Sequence, residues 1–318
     1  MENRKKLSIG ELIVELSLPI LLIALMVFFS LMTDKFFTTQ NLTNILVQNV
    51  HVAICSAAVM IIMISGGTDL SIGYQMSVSA VLVAKMIGVY KVPVAIAVIC
   101  GIVLCSVLGT FNGFMALKLK SSPMIVTLGT MAIFQGISYL ISESKTYHNL
   151  PRSFMYIGQG RIFGWLPINV LIMIVILLIV GFVMHKTVIG RKVYATGDNP
   201  EAARLAGLNV AKIKVLSFTV AGILVGISAV LLAARSGSAD SATGVGIEFT
   251  GITACVLSGV ALKGGEGTLW KVIVAVFVLG VLANGMQLIN LGTYPQYIAK
   301  GIIMLSSLWL TNKNSKAM

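Results

Sequence analysis

Apolar stretches of span length, parted by short polar segments, run along almost the whole chain. They occupy residues 16–32, 45–64, 75–89, 93–117, 124–141, 168–185, 215–234, 247–262, 272–289 and 295–310. A helix needs roughly 20 mainly apolar residues to cross the hydrocarbon core. The pattern therefore predicts an all-α integral membrane protein with about ten transmembrane helices, folded as one domain over residues 1–318. Stretches 75–89 and 247–262 are the least secure spans. The first stretch reads as retained, since it has span length and no small-residue cleavage site follows it. Polar residues gather in one longer interruption, 186–214, and within it in a segment whose two ends are both marked, GDNPEAARLAG at 197–207.

That segment reads as a short helix. Asn199 caps it by accepting from free backbone N–H groups, Pro200 fits the first helical position, and Glu201 lies at the positive end of the dipole. Ala202, Ala203, Arg204, Leu205 and Ala206 follow, and Gly207 supplies a stop. About two turns fall well short of the 12 to 15 residues at which an isolated helix becomes even marginal in water. Something else holds it, either its own bundle or a cytoplasmic partner, and the segment alone leaves both readings open.

Composition agrees with a bilayer protein. Charged residues make up 11% of the chain and hydrophobic ones 57%, against about 25% charged in soluble domains, and mean hydropathy is +0.95. A net charge of +12 would suit nucleic acid, so its distribution matters. With the N-terminus inside, the inner segments hold Arg4, Lys5, Lys6, Lys118, Lys120, Lys186, Arg191, Lys192, Arg204, Lys212, Lys214, Lys263, Lys271, Lys313 and Lys316. The outer ones hold Lys35, Lys85, Lys91, Lys145, Arg152, Arg161 and Arg235, with Lys300 inside the last span. The positive-inside rule favours this orientation by about two to one. It places both termini and the 186–214 loop in the cytoplasm, and nucleic acid is unnecessary as a partner. Cys55, Cys100, Cys105 and Cys255 sit singly in apolar runs, and His51, His148 and His185 are scattered. No metal site or cofactor is expected from them.

Two further signals concern a path through the bundle. In SGGTDLSIG, residues 65–73, paired glycines permit a sharp turn, and Asp69 carries a charge to the edge of the hydrocarbon. Asp69 and Ser71 are candidates for a translocation path or its gate, with helix capping the competing reading. GGTDLSIG at Gly66 also aligns with GSADSATG at Gly237, pairing Asp69 with Asp240 and Gly73 with Gly244 at an offset of 171. The Asn-Gly pairs at Asn112 and Asn284, each followed by a proline at Pro123 and Pro295, repeat at an offset of 172. An odd number of spans separates the copies, so an inverted internal repeat of the transporter kind is expected. Gly109 and Gly113, and Gly222 and Gly226, stand four apart as in close helix contacts. The long outer loop, 142–167, is open to contact with an external protein, with Trp165 read as an interfacial anchor.

The chain lacks a phosphate loop, since LKGGEGTLW at Leu262 has no following Gly-Lys-Ser/Thr, so ATP is handled elsewhere. The ordered set FFTTQNLTNIL, GGTDLSIG, NGFMALKLKSSPMIVTLGTM, TVIGRKVYATGDNPEAARLAGLNVAKIK and GIEFTGITACVLSGVALKGGEGT resembles the ribose-type sugar permeases of bacterial ABC importers. The wider family also serves branched-chain amino acids and nucleosides. The resemblance implies a non-enzymatic permease in the bacterial cytoplasmic membrane. It would pair with a second permease subunit, identical or not, two cytoplasmic ATPase subunits and an extracytoplasmic solute-binding protein. It also implies that Asn199 to Ala206 is the coupling helix, with the surface around Ala203 seated in an ATPase groove. Where relatives read Glu-Leu-Asp-Ala-Ile-Ala-Ala, this chain has Glu248, Phe249, Thr250, Gly251, Ile252, Thr253 and Ala254. Glu248, Asn112 and Asn284 join Asp69 and Ser71 as path candidates, and a monosaccharide is the expected solute class. A self-sufficient secondary transporter or channel is the alternative.

Overall fold

A computed structural model describes residues 9–315 of the chain. Each apolar stretch falls on a helix: α1 (Ile9–Met32), α2 (Thr39–Ile64), α3 (Ile72–Gly88), α4 (Val94–Lys118), α5 (Pro123–Ser142), α7 (Ile168–Lys186), α10 (Val210–Ser236), α11 (Ile247–Leu257), α12 (Leu269–Leu288) and α13 (Thr293–Ser315). Between α5 and α7 lie α6 (Arg152–Gln159) and an antiparallel pair of two-residue strands, β1 (Arg161–Ile162) and β2 (Leu166–Pro167). Between α7 and α10 lie α8 (Val188–Asp198) and α9 (Pro200–Leu205). Among the described residues six helices, α2, α4, α5, α7, α10 and α12, are long and apolar enough to cross a membrane. The chain is a multi-pass helical membrane protein. The charges of Arg4, Lys5, Lys6 and Lys316, and with them the expected side of the N-terminus, lie outside the described residues.

The eighth stretch is shorter as a helix than as a hydropathy run. α11 stops at Leu257, where Ser258 caps it and Gly259 turns to φ +80°, rather than continuing to residue 262. Its 11 residues rise only about 16 Å, half of a ~30 Å hydrocarbon core. The irregular segment before it, 237–246, is tied into the bundle. Gly244 N–H donates to Ser77 Oγ on α3 (3.0 Å), and Ser138 Oγ on α5 donates to Ser241 O (3.1 Å).

α2 and α10 form the centre. Ala53 to Ile64 of α2 is buried on every face, as is most of α10 from Ser217 to Ala234, which suits helices that are apolar all round. α10 packs on α2, α3 and α4, while α2 packs on α10, α11 and α12. α4 is two-faced. Ile96, Ile99, Val103 and Val107 are exposed, as lipid-facing residues are, and Ala97, Gly101, Cys105 and Gly109 are buried. The glycine spacing is used as expected: a methyl group added at Gly109 would strike Phe218 O of α10, and one at Gly222 would strike Cys105 O of α4. Gly222→Leu is therefore expected to destabilise the bundle by more than the ~1–3 kcal/mol typical of overpacking, because backbone lies on both sides. The measurement is the melting temperature and monodisperse yield of detergent-purified protein; an unchanged value would mean that α4 and α10 part easily.

The long connections are structured. α6 lies against the end of α10, with Gly158 in contact with the Ala234 and Arg235 backbone, and Tyr147 pairs with Ala239 as a β-bridge. Lys85 and Lys145 flank Glu143 just beyond α5 and hold its carboxyl down to about 2. Trp165 is exposed beside the strand pair.

Candidate functional site

α9 forms as its sequence dictates. Asn199 Oδ1 accepts from Ala202 N–H at 3.0 Å, Pro200 opens the helix, and Glu201 pairs with Arg204 one turn on. Gly207 takes φ +82°, so that its N–H reaches Arg204 O (3.0 Å) while Leu208 N–H reaches Ala203 O (3.0 Å). Those two bonds satisfy carbonyls that the helix end would otherwise leave open. Six residues then stand on α8 and α10 through a single buried side chain, Ala203. This corrects the sequence reading of Ala203 as part of an outward contact surface: at 5% exposure it faces the bundle. The outward face is Glu201, Ala202, Arg204, Leu205 and Ala206, and Leu205 is 89% exposed.

α8, which the sequence reading left as loop, is what connects α9 to the spans. Thr187 caps it by accepting from Gly190 N–H, and Gly190, Val193, Thr196 and Gly197 are buried at helical spacing. Tyr194 Oη donates to Gly267 O (2.7 Å), and burial raises its phenol above the ordinary range. At the end of α8 three backbones meet. Gly197 lies against Ile64 O, the last carbonyl of α2, and a methyl group added there would also come within 2.6 Å of Gly265 N. Gly265 N–H itself donates to Ile64 O (2.9 Å), and a Cβ on Gly264 would stand 2.8 Å from Gly66 Cα. The α2–α3 turn, the root of α9 and the α11–α12 loop thus form one junction of touching backbone.

Above this junction sits a buried polar cluster. Asp69, 3% exposed, accepts four hydrogen bonds: from Ser71 N–H (2.8 Å) and Ser71 Oγ (2.7 Å) through one oxygen, and from Gln75 Nε2 (2.9 Å) and Asn112 Nδ2 (3.1 Å) through the other. Asn112 Nδ2 also reaches Ser71 Oγ at 2.7 Å. Ser71 occupies the N-cap position of α3 without a side-chain capping bond, so neither Asp69 nor Ser71 acts as a simple cap; together they bind α3 to α4. Glu248 lies next to this group, in contact distance of where a Gly73 side chain would begin, and its carboxylate accepts from Gly246 N–H at 3.1 and 3.2 Å. Asn284 is not part of it. It exchanges amide hydrogen bonds with Asn41 (3.0 and 2.9 Å) beside the α1–α2 turn.

Asp69→Ala removes the acceptor of Ser71 N–H and one of the two acceptors of the Gln75 and Asn112 amides, and each buried donor left unpaired costs about 1–3 kcal/mol. Reduced folded yield is the expected result, measured by size-exclusion profile. A normal profile would show that α3 and α4 hold together without the cluster. Among the described residues no group of His, Cys, Asp and Glu is placed to hold a metal ion.

Comparison with known proteins adds to this geometry. The family described as branched-chain amino acid transport system, permease component, matches residues 41–308. The L-arabinose transport system permease protein AraH of Escherichia coli (strain K12) is 36% identical over 253 residues, covering 80% of this chain and 76% of that protein. The ribose import permease protein RbsC of Bacillus subtilis (strain 168) is 31% identical over 296 residues, 92% of this chain and 91% of its own. The D-allose transport system permease protein AlsC of Escherichia coli (strain K12) is 29% identical over 297 residues, 93% and 91% respectively. No solved structure matches.

Proposed function

Since this chain belongs to the family of permease components of branched-chain amino acid transport systems, we propose that it is the membrane-spanning subunit of an ATP-driven importer for a monosaccharide. The observation that carries the solute class is the full-length similarity to permeases named for ribose and allose, joined by that for arabinose. The observation that supports an external motor is α9, a capped six-residue helix with a solvent-facing leucine at its tip. Its partners on this reading are cytoplasmic ATPase subunits at α9, a second permease subunit and an extracytoplasmic solute-binding protein. ATP hydrolysis then belongs to another chain, and motion enters this one through α8 and the glycine junction.

The finer architecture follows the same reading. Ten spans in an inverted repeat are supported by helix order: α2 through α5 correspond to α10 through α13 near an offset of 171. Asp69 and Asp240 each accept from the N–H two residues on. The aligned glycines Gly73 and Gly244 touch each other, which is the contact expected where a two-fold axis passes between two copies. Orientation rests on the charge asymmetry. It places α9 in the cytoplasm and Asn149 outside. In intact cells an impermeant thiol reagent is expected to label Asn149→Cys and to spare Ala202→Cys; labelling of the second from outside would overturn the orientation.

The test of the assignment is purification of the tagged chain from its native membrane in mild detergent, with the accompanying subunits identified by mass. An ATPase with nucleotide-binding motifs is the expected companion. A chain that purifies alone and still carries solute down a sodium or proton gradient would be a self-sufficient carrier instead.

A further inference from the structure

Cavities such as the groove between Ile61, Ile176, Val180 and Leu224 are lined by aliphatic side chains and suit lipid tails. One differs. Asn49 and His51 of α2, Thr250 of α11, and Tyr297 and Lys300 of α13 line a cavity of about 240 Å³, space for about eight waters at ~30 Å³ each. Its depth follows from helical rise. Asn49 and His51 stand about 20 Å along α2 from the Ile64 end at the glycine junction, and Lys300 about 10 Å along α13 from Thr293. The cavity therefore lies within the spans, in the half of the bundle away from α9.

Three features of this place need a polar occupant. A cation within a span is costly, and such residues mark solute pathways. Among the described residues no carboxylate stands within ion-pair reach of Lys300, and no acidic side chain lines the cavity. Next, α11 starts here: Gly246 and Ile247 are part of the wall, and Glu248 of the first turn accepts from Gly246 N–H, so irregular backbone meets the space at mid-depth. Irregular backbone at such depth is tolerated where it lines a polar cavity, and half-helices of this sort bound solute sites in transporters. Finally, Gly246 at φ +89° has no atom within 4 Å of where a side chain would begin, leaving the wall open on that side.

We propose that the cavity between α2, α11 and α13 is a solute subsite of the translocation path, taking a neutral, polyhydroxylated molecule of monosaccharide size whose hydroxyl oxygens accept from Lys300. A ring with several hydroxyls supplies the acceptors that Lys300 lacks, and it offers donors to Asn49 and Thr250. Tyr297, also in the wall, supplies an aromatic ring of the kind on which a sugar rests. This rests on the reading of the chain as a permease, and two measurements separate the claims.

The first is independent of the solute's identity. In the reconstituted importer, with Cys55, Cys100, Cys105 and Cys255 replaced by Ala, Ala283→Cys at the cavity wall is treated with a cationic methanethiosulfonate. The expected result is modification whose rate changes at least tenfold between the nucleotide-free and the ATP–vanadate-trapped complex. An inert or state-independent thiol would place the cavity off the path. The second is ATP-dependent uptake of D-ribose, L-arabinose and D-allose by wild type, Lys300→Met and Lys300→Arg, each with subunit stoichiometry checked. Lys300→Met is expected to lose at least tenfold in uptake with the complex intact, and Lys300→Arg to recover part of it. Wild-type uptake by Lys300→Met would overturn the subsite while leaving the importer assignment standing. If wild type imports none of the three sugars although the Ala283→Cys thiol responds to nucleotide, the cavity is on the path and the polyhydroxylated solute class is wrong.

Discussion

Gly197→Ala is expected to abolish solute uptake. The added methyl group would overlap Ile64 O and crowd Gly265 N at 2.6 Å, and both neighbours are backbone, so no rotamer change relieves the contact. Ile64 O is moreover the acceptor that ties the α11–α12 loop to α2 through Gly265 N–H. Separating α8 from Ile64 therefore opens the junction among three segments at once. Overpacking costs typically ~1–3 kcal/mol and more where nothing can yield. The sites most affected lie at the root of α9, and the bundle core of α2 and α10 is left in place. The measurement pairs sugar uptake with α-helical content and melting temperature. Uptake is expected to fall more than tenfold, with a lowered melting temperature and near-normal helicity. Wild-type uptake by Gly197→Ala would mean that α8 is not in the coupling route.

Leu205→Asp is expected to separate docking from folding. Leu205 is 89% exposed, and surface substitutions of that kind usually change stability by within about 0.5 kcal/mol. If Leu205 is buried in a partner, however, its loss removes about 1.5–3 kcal/mol of apolar burial and leaves a carboxylate in an apolar groove. Insertion, yield and melting temperature should stay near wild type. ATPase retention on purification should fall at least tenfold, and uptake with it. Retention of the ATPase at wild-type level would move the docking face elsewhere. Ala203→Trp, by contrast, injures the bundle, because Ala203 is the residue through which α9 rests on α8 and α10.

Much of this was readable along the chain. Hydropathy located the six helices long and apolar enough to cross a membrane because burial in a bilayer acts on whole stretches, and the caps of α9 were readable because Asn199, Pro200 and Gly207 act on their own backbone. What hydropathy does not carry is which side of a helix meets which neighbour. Ala203 and Leu205 are both apolar and two residues apart, and only the packing on α8 and α10 tells the buried one from the exposed one. α8 was missed because Gly190, Arg191, Lys192 and Thr196 read as loop, although the spacing of Gly190, Val193, Thr196 and Gly197 held the helical signal. The glycines at 264, 265 and 267 entered only as part of a stretch that is not a phosphate loop, and their partners, Ile64, Gly66 and Asp198, are distant in sequence. Asp69 and Asn112 were each singled out without the link between them. Asn284, matched to Asn112 by its Asn-Gly pair, finds a different partner in Asn41. The cavity at Lys300 was foreshadowed only by a cation that fitted neither side of the membrane.

On the proposed function, this chain moves a monosaccharide inward under the control of an ATPase docked on α9. The direct measurement is uptake of radiolabelled D-ribose, L-arabinose and D-allose into proteoliposomes holding the purified importer, with the binding protein outside and ATP sealed inside. Accumulation of one sugar against its gradient is predicted with ATP, none with a non-hydrolysable analogue, and none with Leu205→Asp in place of the wild-type chain. Equal uptake with and without ATP, or uptake by this chain reconstituted alone, would contradict it.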